Sequence, residues 1–379
     1  MSHTSDRSNE PPWFTIGSDR VRLLRNGAEA FPAMLAAIER AEQQILLEMY
    51  WVGDDSVGRA FRDALVAKAR SGVQVRVIFD GLGSFAMPRS WWSALRKAGG
   101  EVAEFHAIWP FGTNFEWSRI ERRNHRKILI IDNHTGFCGG LNMSRQWATR
   151  EMGGEEWRDD ALELIGPITQ ELQALFFTTW RRMKHPLERH KSRSKLNKPS
   201  GKVWLLTSDA RRRRNVHDEY VRRIQGAHEM IDIANPYFVP TVAVRRALYH
   251  AVRRGVRVRV MVPIRGDLAL VQFAVEALFD SLLQHGIEIY AHRGAMMHSK
   301  TAIIDSSFTT IGSYNLDERS RHNLEANIAI EDEAFARHVR ASFEHDLSSS
   351  ARIDLTWWRS RDFSRRACEW VAFALREFW

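Results

Sequence analysis

The chain has 379 residues, of which 44% are hydrophobic; this is enough for two domains with buried cores and excludes a globally disordered chain. Lys and Arg number 55 against 46 Asp and Glu, and the net charge of +9 fits an anionic partner such as a membrane surface or nucleic acid, although a role in solubility fits it equally. With only two cysteines, Cys138 and Cys368, a disulfide framework and a cysteine-based metal site are excluded.

The N-terminal region is polar. Residues 1–18 form a predicted tail, and residues 1–12 hold no apolar stretch of the kind found in signal peptides. No apolar run elsewhere approaches the roughly 18 residues that a membrane-spanning helix needs, so we predict none. If the protein acts on membrane lipids, we expect it to work from the membrane surface.

Two stretches, residues 19–180 and 203–346, carry the same succession of elements. In each, a helical pattern ends at a glycine and leads into a β-branched run that alternates with polar residues. These segments are residues 61–72 followed by 73–78, and residues 244–255 followed by 256–261. Strands that alternate with helices of this length indicate layered α/β domains. The predicted fold class is α/β, with two similar halves that pack as a pseudo-dimer.

Three other segments are distinctive in composition. Residues 181–202 form a predicted basic linker between the halves, and residues 211–214 are consecutive arginines; both are either solvated charge or contacts for anionic groups. The C-terminal segment, residues 347–379, interleaves aromatic residues with arginines, as amphipathic helices at membrane interfaces do. The alternative for this last segment is a helix docked on the core.

One motif occurs twice in the chain, once in each half. A His is followed by Lys two positions later, Asp five after that, Gly seven further on and Asn three more. The first copy is His125, Lys127, Asp132, Gly139 and Asn142, and the second is His298, Lys300, Asp305, Gly312 and Asn315. Agreement at every marked position does not readily arise by chance, so the repeat indicates a duplicated structural unit and its chemistry together.

The motif is predicted to lie on a strand, because residues 128–131 are continuously apolar. Side chains two apart on a strand point to the same face, so His125 and Lys127 project together, as do the equivalent residues of the second copy. Asp132 and Asp305 come five residues after the lysines and therefore fall on the opposite face. We predict a structural role for these two aspartates at the turns that follow the strands.

This set of residues suits the chemistry of a phosphodiester. The two lysines and the amides of Asn142 and Asn315 can hold the anionic oxygens and stabilise the charge of the transition state. One histidine can attack phosphorus to give a phosphohistidine, while the other serves as acid and then as base. Because protonated lysine is no metal ligand and no carboxylate cluster accompanies the motif, we predict metal-independent catalysis without a cofactor. The alternative, two buried structural His–Lys pairs, leaves costly buried charges.

The duplicated motif resembles the signature of the phospholipase D superfamily, and the flanking segments resemble bacterial cardiolipin synthases over roughly residues 20–345. Those segments are residues 80–84, 157–159, 235–240 and 325–327. The resemblance implies two phospholipase D-like sandwich halves with the active site at their interface. Many cardiolipin synthases carry N-terminal membrane spans, and this chain resembles the shorter type without them.

The resemblance also implies catalytic roles. His125 is implied as the nucleophile and His298 as the acid and base, although the sequence itself does not distinguish the two copies. The superfamily signature counts the following residues as the catalytic set: His125, Lys127, Asp132, His298, Lys300 and Asp305. It therefore includes the two aspartates for which strand periodicity predicts a structural role.

Further residues are implied to orient or bind. A nucleophilic histidine needs an acceptor for its second nitrogen, and the matching acidic positions are Glu325 and Asp159, with the adjacent Asp160 as an alternative. The motif copies differ in that Gly140 corresponds to Ser313, whose hydroxyl is predicted to give an extra hydrogen bond to phosphate.

Three functions fit these residues. The resemblance implies a phosphatidyltransferase that moves a phosphatidyl group onto the hydroxyl of phosphatidylglycerol. Water as the acceptor would make the protein a phospholipase that yields phosphatidic acid, since both reactions share one intermediate. A nuclease of the superfamily fits the net charge, but short nucleases of this superfamily carry one motif and dimerise, so we expect no nucleic acid partner.

The expected partners are phospholipids and an anionic membrane surface, and the oligomeric state is left open. These partners imply a peripheral location on the cytoplasmic face of a bacterial membrane.

Overall fold

The computed structural model describes residues 10–107, 122–184, 201–208 and 215–375. Some of the sequence predictions fall outside these ranges: those for residues 1–9, most of the basic linker, the arginine run at 211–214 and residues 376–379.

The first half is built on one mixed sheet. Its strands in chain order are β1 (Phe14–Ile16), β2 (Asp19–Arg25), β3 (Gln44–Met49), β4 (Gln74–Asp80), β5 (Glu101–Phe105), β6 (Lys127–Ile131), β7 (Thr135–Gly139) and β8 (Asp160–Ile165). They lie in the order β1-β2-β8-β7-β6-β3-β4-β5, with β3, β4 and β5 parallel to one another. The helices of this half are α1 (Asn26–Arg40), α2 (Ser56–Arg70), α3 (Ser93–Lys97) and α4 (Ile168–Lys184).

The second half repeats this arrangement. Its strands are β9 (Val203–Thr207), β10 (Met230–Ala234), β11 (Arg257–Pro263), β12 (Glu288–His292), β13 (Thr301–Ile304), β14 (Phe308–Gly312), β15 (Ala326–Glu331) and β16 (Ser350–Arg352). Its helices are α5 (Val216–Gln225), α6 (Val242–Arg253), α7 (Ala269–Ala277), α8 (Phe279–Gln284), α9 (Glu333–Ser348), α10 (Leu355–Arg359) and α11 (Phe363–Ala374). The sheet order is β16-β12-β11-β10-β13-β14-β15-β9.

The two sheets are equivalent over seven of their eight strands, since β2-β8-β7-β6-β3-β4-β5 matches β9-β15-β14-β13-β10-β11-β12, and the edge strands β1 and β16 lie at opposite ends of this match. In both, the motif strand lies in the centre of the sheet, between a parallel part and an antiparallel part. The predicted fold class, α/β with two similar halves, is confirmed. None of the helices in the described ranges is long and apolar enough to span a bilayer.

Local signals in the sequence explain the helix ends. The side chains of Asp55 and Thr241 accept hydrogen bonds from backbone N–H groups in the first turns of α2 and α6, so both helices begin earlier than their apolar patterns predict. Gly72 and Gly255 follow these helices with φ of +92° and +91°, a left-handed conformation that glycine adopts without strain. The parallel strands β4 and β11 then begin at Gln74 and Arg257, one residue later than predicted, and each ends two residues later.

The motif strands are buried on both faces, which explains their continuous apolar sequence. In β6, Leu129 and Ile131 pack into the core of the first half, whereas Ile128 and Ile130 pack into a separate core between the halves. The second half contributes Ile303 and other apolar residues to that shared core. The two halves are therefore joined through apolar faces of their sheets, and this junction carries the motifs.

The C-terminal segment packs on the second half. β16 pairs with β12, and α11 lies along α7, where Arg365 forms a 2.9 Å ion pair with Glu276 and Ala372 is buried. The alternative of a docked helix therefore holds for one face of α11. The opposite face leaves Phe363 83% and Trp370 62% exposed.

Candidate active site

The two motif copies meet at the junction of the halves. His125 comes just before β6, and its backbone N–H donates to the carbonyl of Leu324 at 2.9 Å. His298 comes just before β13, and its N–H donates to the carbonyl of Arg158 at 2.7 Å. Leu324 and Arg158 belong to the opposite halves, and each directly precedes an acidic residue. Backbone hydrogen bonds therefore bring each histidine next to the carboxylate of the other half.

Each imidazole is hydrogen-bonded to a buried carboxylate across the junction. Nδ1 of His125 lies 3.0 Å and 3.1 Å from the carboxylate oxygens of Glu325, and Nδ1 of His298 lies 2.7 Å from Oδ2 of Asp159. Both carboxylates are fully buried. Because a carboxylate only accepts, each Nδ1 carries the proton and each Nε2 presents its lone pair.

The choice between the adjacent acids of the first half is resolved by their partners. Asp159 contacts His298, whereas the carboxylate of Asp160 accepts hydrogen bonds from the guanidinium of Arg158 at 2.6 Å and from the hydroxyl of Ser299. Asp160 therefore holds the backbone segments together and does not bind the imidazole.

The difference between the motif copies concerns how each carboxylate is held. The hydroxyl of Ser313, predicted to bond to phosphate, donates to Glu325 in this structure and so orients the carboxylate. In the first copy, a Cβ on Gly140 would come within 2.1 Å of Asp159 Oδ1. Asp159 instead receives a hydrogen bond from the indole Nε1 of Trp147 at 2.9 Å. Sequence reasoning missed Trp147, because no spacing links it to the motif.

The motif lysines lie on the same side of their strands as the histidines, as periodicity predicts. Nζ of Lys127 donates to the carbonyl of His125 at 2.6 Å. Nζ of Lys300 donates to the carbonyl of His298 and lies 2.9 Å and 3.0 Å from the two ring nitrogens. Both lysines are almost completely buried, directly beneath the imidazoles.

The two motif asparagines line the cleft beside the histidines. The side-chain oxygen of Asn142 accepts from the backbone N–H of Trp51 at 3.1 Å, which fixes the amide and leaves its N–H groups for an anion. The side-chain oxygen of Asn315 is buried and has no hydrogen-bond partner among the described residues. Since a buried polar atom without a partner is costly, Asn315 is a candidate for a substrate contact.

Asp132 and Asp305 contact neither histidine. Each stands at the end of its motif strand with a positive φ, and its carboxylate accepts from consecutive backbone N–H groups at the start of a neighbouring strand. These groups belong to residues 42–44 for Asp132 and to residues 228–230 for Asp305. The two aspartates therefore have a structural role. They hold β3 and β10 against the motif strands, whereas the sequence predicted that they would hold the turns that follow those strands.

A cleft of about 210 Å³ opens above the two imidazoles and is lined by residues of both halves. Aromatic side chains form the part of its wall next to the histidines: the edge of Tyr50 packs on His125, and Trp147 and Trp157 pack on His298. The aromatic and apolar lining residues are Tyr50, Trp51, Trp147, Trp157, Tyr237, Val239, Leu268 and Val271.

A buried ion pair supports the segment that enters the first motif. Arg123 binds Asp80 at 2.6 Å, and Asp80 also accepts from the backbone N–H of Asn124 at 2.8 Å, directly before His125. Gly83 follows Asp80 closely, and a Cβ there would come within 2.3 Å of a backbone oxygen. The segment at residues 80–84, which the family resemblance had marked, therefore acts in positioning.

Burial shifts the pKa values of the site toward uncharged forms. It lowers the pKa of His125 and lowers that of His298 further, with the nearby lysines adding to the effect. It also lowers the pKa of Lys127 well below its usual range and the pKa of Lys300 to about 8. Burial raises the pKa of Asp159 to about 6, against the opposing charge of Lys300. An anionic phosphate in the cleft would favour the protonated lysines again and would favour protonation of an imidazole beside it that is not acting as nucleophile.

Comparison with known proteins identifies relatives over most of the chain. The family model described as cardiolipin synthase, PLD-like domain, matches residues 34–176 and 220–347. The probable cardiolipin synthase YwiE of Bacillus subtilis is 34% identical over 353 residues, which is 92% of this chain and 70% of that protein. Cardiolipin synthase A of Pseudomonas aeruginosa is 33% identical over 340 residues, or 89% of this chain and 68% of that protein.

A solved structure shares the fold. The crystal structure of phosphatidylserine synthase from Haemophilus influenzae superposes with a TM-score of 0.73, covering 98% of this chain and 95% of that one at 13% identity. At this identity, the likeness concerns the fold alone.

The shifted pKa values of Asp159 and Lys300 predict a bell-shaped pH dependence of kcat/KM. As the pH falls through about 6, Asp159 gains a proton and no longer accepts from His298, so activity should fall. As the pH rises through about 8, Lys300 loses the charge that stabilises phosphate, so activity should fall again. The measurement is kcat/KM on a phosphodiester substrate across both limits. A profile that stays flat through pH 6 and 8 would contradict these roles.

Single substitutions should shift the acid limit and the alkaline limit of this pH profile separately. Lys300→Arg should move the alkaline limit upward, because a guanidinium stays charged beyond pH ~12. Lys97→Arg, at the end of α3, is the matched control and should leave that limit in place. Asp159→Asn should remove the acid limit and lower kcat/KM roughly a hundredfold or more, since an amide has no negative charge to stabilise a protonated His298 and no longer fixes which ring nitrogen carries the proton.

Proposed function

The chain belongs to the cardiolipin synthase family of phospholipase D-like proteins, and we propose on this basis that it transfers a phosphatidyl group to the free hydroxyl of phosphatidylglycerol. With phosphatidylglycerol as donor as well, two molecules give cardiolipin and glycerol. The observation that carries the proposal is the pair of histidines in one cleft, each hydrogen-bonded to a buried carboxylate of the other half.

The first step forms a covalent intermediate. Nε2 of His125 attacks phosphorus, and the bond from phosphorus to the head-group oxygen breaks. For this step His298 must first be protonated on Nε2 as well, a form that the bound anionic phosphate favours. The leaving oxygen takes that Nε2 proton and departs as the head-group alcohol, glycerol in this case. Glu325 stabilises the positive charge that develops on His125, because it accepts from Nδ1.

The second step reverses these roles. His298, now neutral, removes the proton from the acceptor hydroxyl, and the resulting oxygen attacks the phosphohistidine. The bond from phosphorus to Nε2 of His125 breaks, and the imidazole is restored. Lys127, Lys300 and the amides of Asn142 and Asn315 stabilise the anionic oxygens in both steps. Every role is filled by a side chain of this protein, so the proposed mechanism requires no cofactor or metal.

The acceptor determines whether the reaction is transfer or hydrolysis. The aromatic wall favours a lipid alcohol over water, because apolar surface around the phosphohistidine disfavours free entry of solvent. This supports phosphatidyl transfer as the main reaction.

The test is the identity of the products. Purified protein with phosphatidylglycerol vesicles and EDTA should give cardiolipin and glycerol, measured by mass spectrometry. His125→Ala and His298→Ala should each lower the rate by roughly a thousandfold or more. His134→Ala, an exposed histidine outside the cleft, should keep the full rate.

The other outcomes are also informative. Phosphatidic acid as the only lipid product would replace the proposal with a phospholipase. Full activity in both cleft variants would refute the mechanism itself, and intact lipid together with cleaved DNA would indicate a nuclease.

We also propose that the protein works from the surface of an anionic membrane, on the cytoplasmic face of a bacterial cell membrane. Leu268 lines the cleft and is 53% exposed, and Leu270 on α7 is also exposed. α11 begins beside the end of α7, where Arg365 meets Glu276, and packs along it, so it runs back toward the cleft. The exposed face of α11 thus extends the apolar surface from the mouth of the cleft.

Vesicle binding tests this surface. The double substitution of Phe363→Ala and Trp370→Ala should weaken binding to phosphatidylglycerol vesicles at least about tenfold in a flotation assay, since large exposed apolar groups are removed. Met152→Ala, an exposed apolar side chain of the first half, is the control and should bind normally. Unchanged binding of the double variant would exclude α11 as the contact.

A further inference from the structure

The cleft contains an exposed guanidinium that the proposed reaction does not use. Arg319 begins a short 3₁₀ turn, Arg319–Arg321, that follows Asn315 closely, and it lines the cleft. In the described part of the chain, no carboxylate lies within ion-pair distance of its side chain. The other arginine of the cleft wall, Arg123, is buried and bound to Asp80, and Arg321 is bound to Glu318 at 2.9 Å.

The surroundings of Arg319 are acidic. Asp267, Asp317 and Glu318 line the same cleft. Asp267 accepts from the hydroxyl of Tyr237, and Asp317 accepts from a backbone N–H at 2.7 Å, so neither is neutralised by a bonded cation. Glu318 is paired with Arg321, but an anionic molecule that enters this side of the cleft meets repulsion from Asp267 and Asp317, and Arg319 is the positive group placed to offset it.

The reaction brings two phosphates into this cleft. The reacting phosphate is held at the histidines by the motif lysines and asparagines. The acceptor phosphatidylglycerol keeps its own phosphate, which is separated from the attacking hydroxyl by a single glycerol bridge. That second phosphate has no counter-charge among the motif residues, which are already assigned to the first.

We propose that Arg319 binds the phosphate of the acceptor lipid and thereby selects an anionic lipid alcohol over a neutral alcohol or water. A guanidinium can bind two phosphate oxygens at once, which fixes the acceptor in orientation as well as position. This inference rests on the proposed transfer to phosphatidylglycerol and adds to it a second anion subsite.

The test uses competition for one intermediate. Phosphatidylglycerol vesicles are supplied with a fixed concentration of 1-butanol, and cardiolipin and phosphatidylbutanol are measured together. Both products arise from the same phosphohistidine, so their ratio reports the choice of acceptor and not the rate of the first step. Arg319→Ala should lower the ratio of cardiolipin to phosphatidylbutanol at least about tenfold, because a charge-assisted hydrogen bond is lost.

Two further variants make the result specific. Arg319→Lys keeps the charge but loses the two-oxygen contact, so its ratio should fall between those of the wild type and the alanine variant. Arg337→Ala removes an exposed arginine of α9 that does not line the cleft, and it should leave the ratio unchanged.

Three results would overturn the inference. An unchanged ratio in Arg319→Ala would show that this residue does not select the acceptor, while the proposed function would stand. Loss of both products in a folded Arg319 variant would assign the residue to the first step instead. If the wild type forms no cardiolipin, the proposed function fails first, and the inference fails with it.

Discussion

The hydrogen bond from each histidine to the carboxylate of the other half is the interaction on which the rest of the structure depends. Neither half holds a complete site, because His125 is oriented by Glu325 and His298 by Asp159. The geometry therefore requires a rigid junction, which the apolar core between the sheets provides. Both faces of the motif strands are buried for this reason: one face stabilises its own half, and the other joins the halves.

The same burial prepares the site for an anion. Two imidazoles, two ammonium groups and two carboxylates lie together out of water, and the pKa values of the histidines and lysines are lowered as a result. A phosphate that enters the cleft stabilises the protonated forms of the lysines and of His298, so substrate binding and the protonation of these groups are coupled. The positive charge is then greatest beside the phosphate oxygens, where negative charge develops in the transition state.

The sequence repeat made the fold class and many of the site residues predictable. The features that could not be predicted depend on contacts between distant parts of the chain. The strand periodicity placed each lysine beside its histidine and each aspartate on the other face, because alternation along a strand is a local property. The crosswise pairing of histidine and carboxylate is not encoded in spacing, since the two partners come from different halves. The hydroxyl of Ser313, predicted to bond to phosphate, donates to Glu325, a contact that also joins residues far from one another in the motif spacing. Trp147 holds Asp159 through a contact that only the folded chain creates.

The central claim is that one histidine of this composite site carries the phosphatidyl group. The most direct measurement is turnover of phosphatidylglycerol quenched with a denaturant at neutral to mildly alkaline pH, because a phosphohistidine hydrolyses in acid, followed by peptide mass spectrometry that locates any phosphatidyl adduct by residue. The account predicts a phosphatidyl adduct on the peptide that contains His125, and its absence in His125→Ala. An adduct on His298 or on a residue outside the cleft, or product formation with no protein adduct at any time of quenching, would contradict it.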